Sequence, residues 1–129
     1  MRTIKPEGWP PARGYSYAME HAGRVHVAGV IGADPETHKV VPGDFLAQWA
    51  QVWTNVGEVL RAAGSAPDKV VAIRIYVTDL EAYRAARRDL GSGWAETFGT
   101  HLPAITLVEV SGLALPDALV EAEVEAVLE

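Results

Sequence analysis

"DFLAQWAQVWTNVGEVLRAAG", residues 44–64, decides how the rest of the chain must be arranged. Its apolar residues fall at 45, 49, 52, 53, 56, 59, 60 and 63, a wide stripe at helical spacing. Asp44 stands where an N-cap belongs and Gly64 where a C′ residue belongs, so both ends of the helix are framed. A stripe this wide needs an apolar surface beneath it, and the flanking segments supply one. Upstream, "YSYAMEHAGRVHVAGVIG" (15–32) reads as two strands turned at His21–Gly23, a β-hairpin. Downstream, "DKVVAIRIYVT" (68–78) is a strand rich in β-branched residues.

Asp79 then opens a second helix with Leu80, Tyr83, Leu90, Trp94 and Phe98 towards one side. The "GSG" at 91–93 is expected to bend, fray or interrupt it, because glycine costs helix stability. Two strands close the chain, "AITLVEVS" (104–111) and "LVEAEVEAVLE" (119–129), joined at "GLALPDA". The opening "PEGWPPARG" is extended and turn-like, and "ADPETHKVVPGD" is a loop. The order is therefore ββ-α-β-α-ββ, a single α+β domain over 1–129 with both helices on one face of a mixed sheet. The first strand-helix-strand passage is expected to cross over with the right-handed sense.

Alternation within the strands assigns the faces. In the last strand Val120, Ala122, Val124, Ala126 and Leu128 share one side, and Glu121, Glu123 and Glu125 share the other. In the middle strand Val71, Ile73, Ile75 and Val77 oppose Ala72, Arg74 and Tyr76. The apolar sides belong against the helices. The other sheet face then carries Arg74, Tyr76, the three glutamates, and either Ile105, Leu107 and Glu109 or their alternates. A face that is half apolar and half charged is what an oligomer interface looks like.

Composition removes several functions. A net charge of −6 without any Lys/Arg run opposes nucleic-acid binding, which needs a basic stripe or patch. With no cysteine there is no disulfide frame and no thiolate chemistry. The four histidines (21, 26, 38 and 101) are scattered without ligand spacing, so no metal site and no cofactor are expected. The first residues carry no apolar h-region and no stretch reaches membrane-spanning length, which makes a cytoplasmic location the expectation.

Six segments in this order and spacing resemble the RidA/YjgF family: "GYSYA" (14–18), "GRVHVAGVIG" (23–32), the helix 44–64, "IRIYVTDLEAY" (73–83), "PAITLVEV" (103–110) and "VEAEVEA" (120–126). Members include enamine/imine deaminases, and several carry the label endoribonuclease or translation inhibitor. The resemblance implies a homotrimer of chorismate-mutase-like subunits whose sheets line a central barrel, with small-molecule clefts between adjacent subunits. It also implies an arginine after the Pro-Ala of residues 103–104, associated with the substrate carboxylate; this chain has Ile105 there. A charged hydrogen bond of that kind is worth about 1.5–3 kcal/mol net, and isoleucine supplies none of it.

Other positions depart as well. The family's Gly-Gln-Ile/Val is Gly29-Val30-Ile31, Ala28 replaces a common Ser, Tyr17 replaces a common Gln, and Leu107 stands where a small Cys can occur. Tyr15 matches the family's aromatic position near the cleft, and Glu123 is matched to the glutamate that positions or activates the hydrolytic water. A carboxylate there could take a proton from water attacking a C=N carbon. Arg74 is an alternative cation, although an arginine on a strand face more often pairs with a neighbouring glutamate such as Glu121 or Glu125. Two functions follow: a hydrolytic deaminase of a small imine or enamine not anchored through a carboxylate, or a non-catalytic trimer that binds a small molecule. The RNA-cleaving label fits an acidic chain poorly.

Overall fold

The helix and the hairpin meet on a six-stranded sheet in the computed structural model, which describes residues 1–129. In chain order the strands and helices are β1 (Arg2–Ile4), β2 (Ala18–His21), β3 (Arg24–Ile31), α1 (Phe45–Ala62), β4 (Val70–Val77), α2 (Leu80–Ala86), α3 (Leu90–Phe98), β5 (Ala104–Glu109) and β6 (Val120–Val127). Short 3-10 turns, Pro67–Lys69 and Arg87–Asp89, precede β4 and α3. The sheet order is β1-β2-β3-β6-β4-β5; β4 and β5 run parallel and the other neighbours antiparallel. The expected α+β frame is thus present, with one added strand at the N-terminus. With three residues, β1 is too short to display an alternation.

Helix α1 is framed at both ends as its sequence requires. Asp44 accepts a hydrogen bond from the Ala47 N–H at 3.2 Å. At the other end the Gly64 N–H reaches the Arg61 carbonyl (3.0 Å) and the Ser65 N–H the Leu60 carbonyl (2.9 Å), the two bonds of a Schellman cap. Arg2 adds a guanidinium contact to the Ala63 carbonyl at 2.9 Å, which ties β1 to the helix end. Phe45, Trp49, Val52, Trp53, Val56, Val59 and Leu60 are all buried, and with Ile73, Ile75, Val77, Val120, Ala122 and Val124 they make the core.

Two buried amides on α1 fix it to the strands that matter most for the site. Asn55 donates to the carbonyls of Ile31 (3.2 Å) and Ala33 (2.8 Å), and so grips the end of β3. Gln48 donates to the Asp117 carbonyl (3.0 Å) and accepts from the Leu119 N–H (2.8 Å), which fixes the approach to β6. Between them the helix rests directly on backbone. A Cβ on Gly32 would lie 2.6 Å from the Gln48 carbonyl oxygen and 2.7 Å from its Cα.

Two local expectations need correction, and one alternative left open is resolved. Val71 does not share the buried side with Ile73, Ile75 and Val77; it is 45% exposed. The register slips between Val70 and Ala72 opposite β6, so Val71 is the extra residue of a bulge and Val70 takes its place in the core. The "GSG" at 91–93 does not break the second helical region. The break is the 3-10 turn at Arg87–Asp89, and residues 91–93 lie inside α3. There a Cβ on Gly93 would meet Ala50 and Trp49 at 3.4 Å, so the residue lets α3 pack closely on α1, offsetting its poor helix propensity. Finally, in-register neighbours of parallel strands point the same way. Ile105 and Leu107, beside Ile73 and Ile75, turn towards the helix side, whereas Ala104, Thr106 and Val108 share the open face with Ala72, Arg74 and Tyr76.

The Gly32 contact predicts a stability effect. Gly32→Ala should destabilise the fold by about 1–3 kcal/mol, because α1 must lift off rigid backbone. Urea unfolding would show a lower midpoint at an unchanged slope; an unaltered midpoint would contradict direct packing of α1 on β3.

Candidate functional site

Strand β3 loses register with β6 between Val27 and Val30: Val27 opposes Val124 and Val30 opposes Ala122, so Ala28 and Gly29 together face the one residue Glu123. This bulge places Gly29 beside the side chain of Glu121, whose own backbone partner is Ile31. A Cβ on Gly29 would overlap the Glu121 carboxylate, with the carboxyl carbon only 2.8 Å away. The glycine therefore leaves room for a carboxylate to lie flat across the strand.

On one side of that carboxylate opens a cavity of about 440 Å³. Its walls come from the N-terminal segment (Trp9, Tyr15, Tyr17), the bulge and end of β3, the loop with Asp34 and His38, Asn55 and Val59 of α1, and Ala114 and Leu115 before β6. The rings are held in place. Trp9 donates its indole N–H to Glu58 on α1 at 2.8 Å, and Tyr17 donates its hydroxyl to the Pro10 carbonyl at 2.8 Å. Tyr17 meets Trp9 edge to face at 5.0 Å and Tyr15 at 5.6 Å. Burial, and then the neighbouring Tyr15, push the Tyr17 phenol above its ordinary range. Tyr15 is 51% exposed at the rim.

On the other side lies a second, more open pocket lined by Gly29, Tyr76, Val110, Gly112, Leu113, Glu121 and Glu123. Gly29 and Glu121 belong to both hollows, so the Glu121 carboxylate is a partition between them. It makes no hydrogen bond or ion pair within the chain. Burial, and secondly the charge of Glu123, push its pKa above the ordinary glutamate range. Glu123 is engaged instead: the Tyr76 hydroxyl donates to it at 2.9 Å, and Arg74 stands 3.9 Å away. That hydrogen bond is the main reason the Tyr76 phenol is raised. Glu125 is flanked by Arg74 and His26, each at 3.7 Å.

The structure therefore brings together Tyr15, Tyr17 and Gly29 among the residues singled out from the sequence. It sets Glu123 and Arg74 on the adjoining open face, coupled to each other. Ile105 and Leu107 lie apart. Two strands, β6 and β4, separate β5 from β3, and Leu107 packs against the core while Ile105 is 45% exposed on the sheet edge. The residue that sequence reasoning passed over is Glu121. All three glutamates share one strand face, and only the bulge at Ala28–Gly29 distinguishes the one over the cavity. The glycine inside a strand pattern was the available signal. No group of His, Asp and Glu is arranged to hold a metal ion.

The family described as Endoribonuclease L-PSP matches residues 7–128. A RutC family protein of Sulfurisphaera tokodaii is 35% identical over 122 residues, covering 94% of each chain. A protein of Capra hircus named 2-iminobutanoate/2-iminopropanoate deaminase is 30% identical over 113 residues, covering 87% of this chain and 80% of its own. The crystal structure of the Escherichia coli YjgF gene product superposes with a TM-score of 0.86 at 29% identity, covering 100% of both chains.

The raised pKa of Glu121 has a stability consequence of definite sign. The unfolded chain ionises at the ordinary glutamate value, whereas the folded chain holds its proton to higher pH. Stability therefore falls as pH rises above the ordinary value, and the full penalty is in place once pH has passed through the folded value. Glu121→Gln should therefore raise Tm near neutral pH, and the gain should vanish below the ordinary value of 4.5. Thermal unfolding at both pH values checks this; a loss of Tm near neutrality would contradict it.

Proposed function

This chain belongs to the RidA/YjgF family of endoribonuclease L-PSP-like proteins, and we propose on that footing that it is a hydrolytic deaminase of a small imine or enamine lacking a carboxylate. One observation carries the reading: the half-buried Glu121 carboxylate, without a partner of its own, forms the wall between an aromatic cavity and a second pocket open to water. A carboxylate whose pKa burial and a neighbouring glutamate raise above the ordinary glutamate value is suited to accept and return a proton. The goat relative's printed name supports the reaction type.

The steps follow from that geometry. Glu121 takes a proton from water as the oxygen bonds to the carbon of a protonated C=N group, giving a neutral carbinolamine. The protonated carboxyl then gives its proton to the nitrogen. The C–N bond breaks, ammonia leaves with the bonding pair, and the carbinol O–H yields its proton to the carboxylate as C=O forms; the released ammonia takes that proton up. Glu123, which accepts from Tyr76, lies beside Glu121 and raises its pKa, which favours the proton-accepting role.

We further propose that copies assemble as a homotrimer through β5 and the open sheet face. Edge strand β5 leaves Ile105 45% and Val108 43% exposed, and an apolar unpaired edge of this kind calls for a cover. In that assembly β5 of one copy closes the cavity of the next and brings Ile105, not a cation, to the site. No helix is long and apolar enough to cross a membrane.

The test is imine decay in the presence of purified protein, with one imine set generated from amino acids and another from simple amines. The carboxylate-free set should decay faster. Glu121→Gln should cost about 10²–10⁴-fold in rate, the usual worth of a general base. Gly29→Ala should cost about 10²-fold by displacing the carboxylate, and Glu123→Gln much less than either. No acceleration with either set, while ligand binding persists, would replace this reading with the non-catalytic binder. Acceleration confined to amino-acid imines would show that a cation other than residue 105 anchors a carboxylate.

A further inference from the structure

The larger cavity is aromatic and acidic, with nothing cationic to balance it. Glu121 and Asp34 bring carboxylates to its lining, and neither lysine nor arginine does. His38 is the other ionisable side chain there apart from the tyrosines. Asp34 uses Oδ1 to hold its own loop, accepting from the N–H groups of Glu36 (2.8 Å) and Thr37 (3.4 Å). Glu121 has no such engagement, and a half-buried carboxylate without a partner is under-compensated.

The rings add to this. Trp9 and Tyr17 commit their polar hydrogens to Glu58 and to Pro10, so what they offer the cavity is ring surface. Aromatic faces carry the negative end of a quadrupole and attract cations, the more strongly the drier the site. An anionic ligand would meet two carboxylates and three rings, with no donor of positive charge. At about 440 Å³ the cavity has room for one small ring with its substituent.

We propose that this cavity binds an organic cation, a small ammonium or iminium on an apolar or aromatic body, with its charged nitrogen between the Glu121 carboxylate and the rings of Trp9, Tyr15 and Tyr17. The inference rests on the deaminase reading for turnover and names its substrate class, the protonated imine of a carboxylate-free amine. The binding itself stands on the cavity alone. A cation at this place also explains why the position over Gly29 is kept open: the carboxylate must lie against the cavity wall to reach it.

Calorimetric titration of the full chain near neutral pH with three probes of one shape, benzylammonium, benzyl alcohol and benzoate, isolates the charge. Benzylammonium should bind about tenfold more tightly than the alcohol, in the range a cation–π contact and one carboxylate supply, and benzoate should bind worst. Glu121→Gln should bring benzylammonium close to the alcohol. Tyr15→Leu, at a ring half exposed on the rim, should weaken the cation more than the alcohol. Benzoate binding as well as benzylammonium, a preference undiminished in Glu121→Gln, or no binding by any of the three would overturn the proposal. Cation preference without imine hydrolysis would leave it standing and end the deaminase reading; hydrolysis accompanied by preference for benzoate would do the reverse.

Discussion

The Glu121 carboxylate occupies the space that a side chain on residue 29 would need. Almost everything distinctive about the site depends on that single substitution of a carboxylate for a missing Cβ. The bulge at Ala28–Gly29 bends β3 and exposes the glycine, β6 delivers the glutamate two residues along, and the carboxylate then divides two hollows. Because it lies half-buried and next to Glu123, its charged form is disfavoured. The same placement that sets it against the cavity therefore raises its pKa.

Helix α1 makes the arrangement rigid. Its apolar stripe supplies the bulk of the packing, but specificity of position comes from two buried amides and one close approach. Asn55 grips the end of β3, Gln48 grips the segment entering β6, and Gly32 lets the helix settle onto backbone between them. A buried amide with its donors and acceptor satisfied locks register more sharply than apolar contact, which tolerates sliding. The strands carrying Gly29 and Glu121 are thus held from the same helix, and the helix also carries Glu58, which anchors Trp9 at the cavity.

Much of the frame was readable from residues alone. Helical periodicity over 45–63, the Asp44 and Gly64 caps and the alternation of β6 specify elements whose signals are local, and each is found in place. The features that were not readable are those set by pairing between distant segments. Val71 carries a strand residue's chemistry, and only its partner strand reveals that it is a bulge. The glycines at 91 and 93 resemble helix breakers until the neighbouring helix is seen at 3.4 Å from Gly93. In the site, an alternating Glu-x-Glu-x-Glu row offers three equivalent candidates. Glu123 is bound to Tyr76 and Glu121 faces the cavity, a difference created by a register shift on another strand. Ile105 is singled out by resemblance, and it lies with two strands between it and β3 in its own chain, outside both hollows, so only the proposed neighbouring copy would bring it to the site.

Carbon-detected NMR titration of the glutamate carboxyls measures the protonation of Glu121 directly. Glu121 should titrate above the ordinary glutamate value, and adding benzylammonium should bring its titration back down as a cation settles against the carboxylate. A Glu121 that titrates at or below the ordinary value, and does not respond to the cation, would contradict both its isolation over Gly29 and its part in the chemistry.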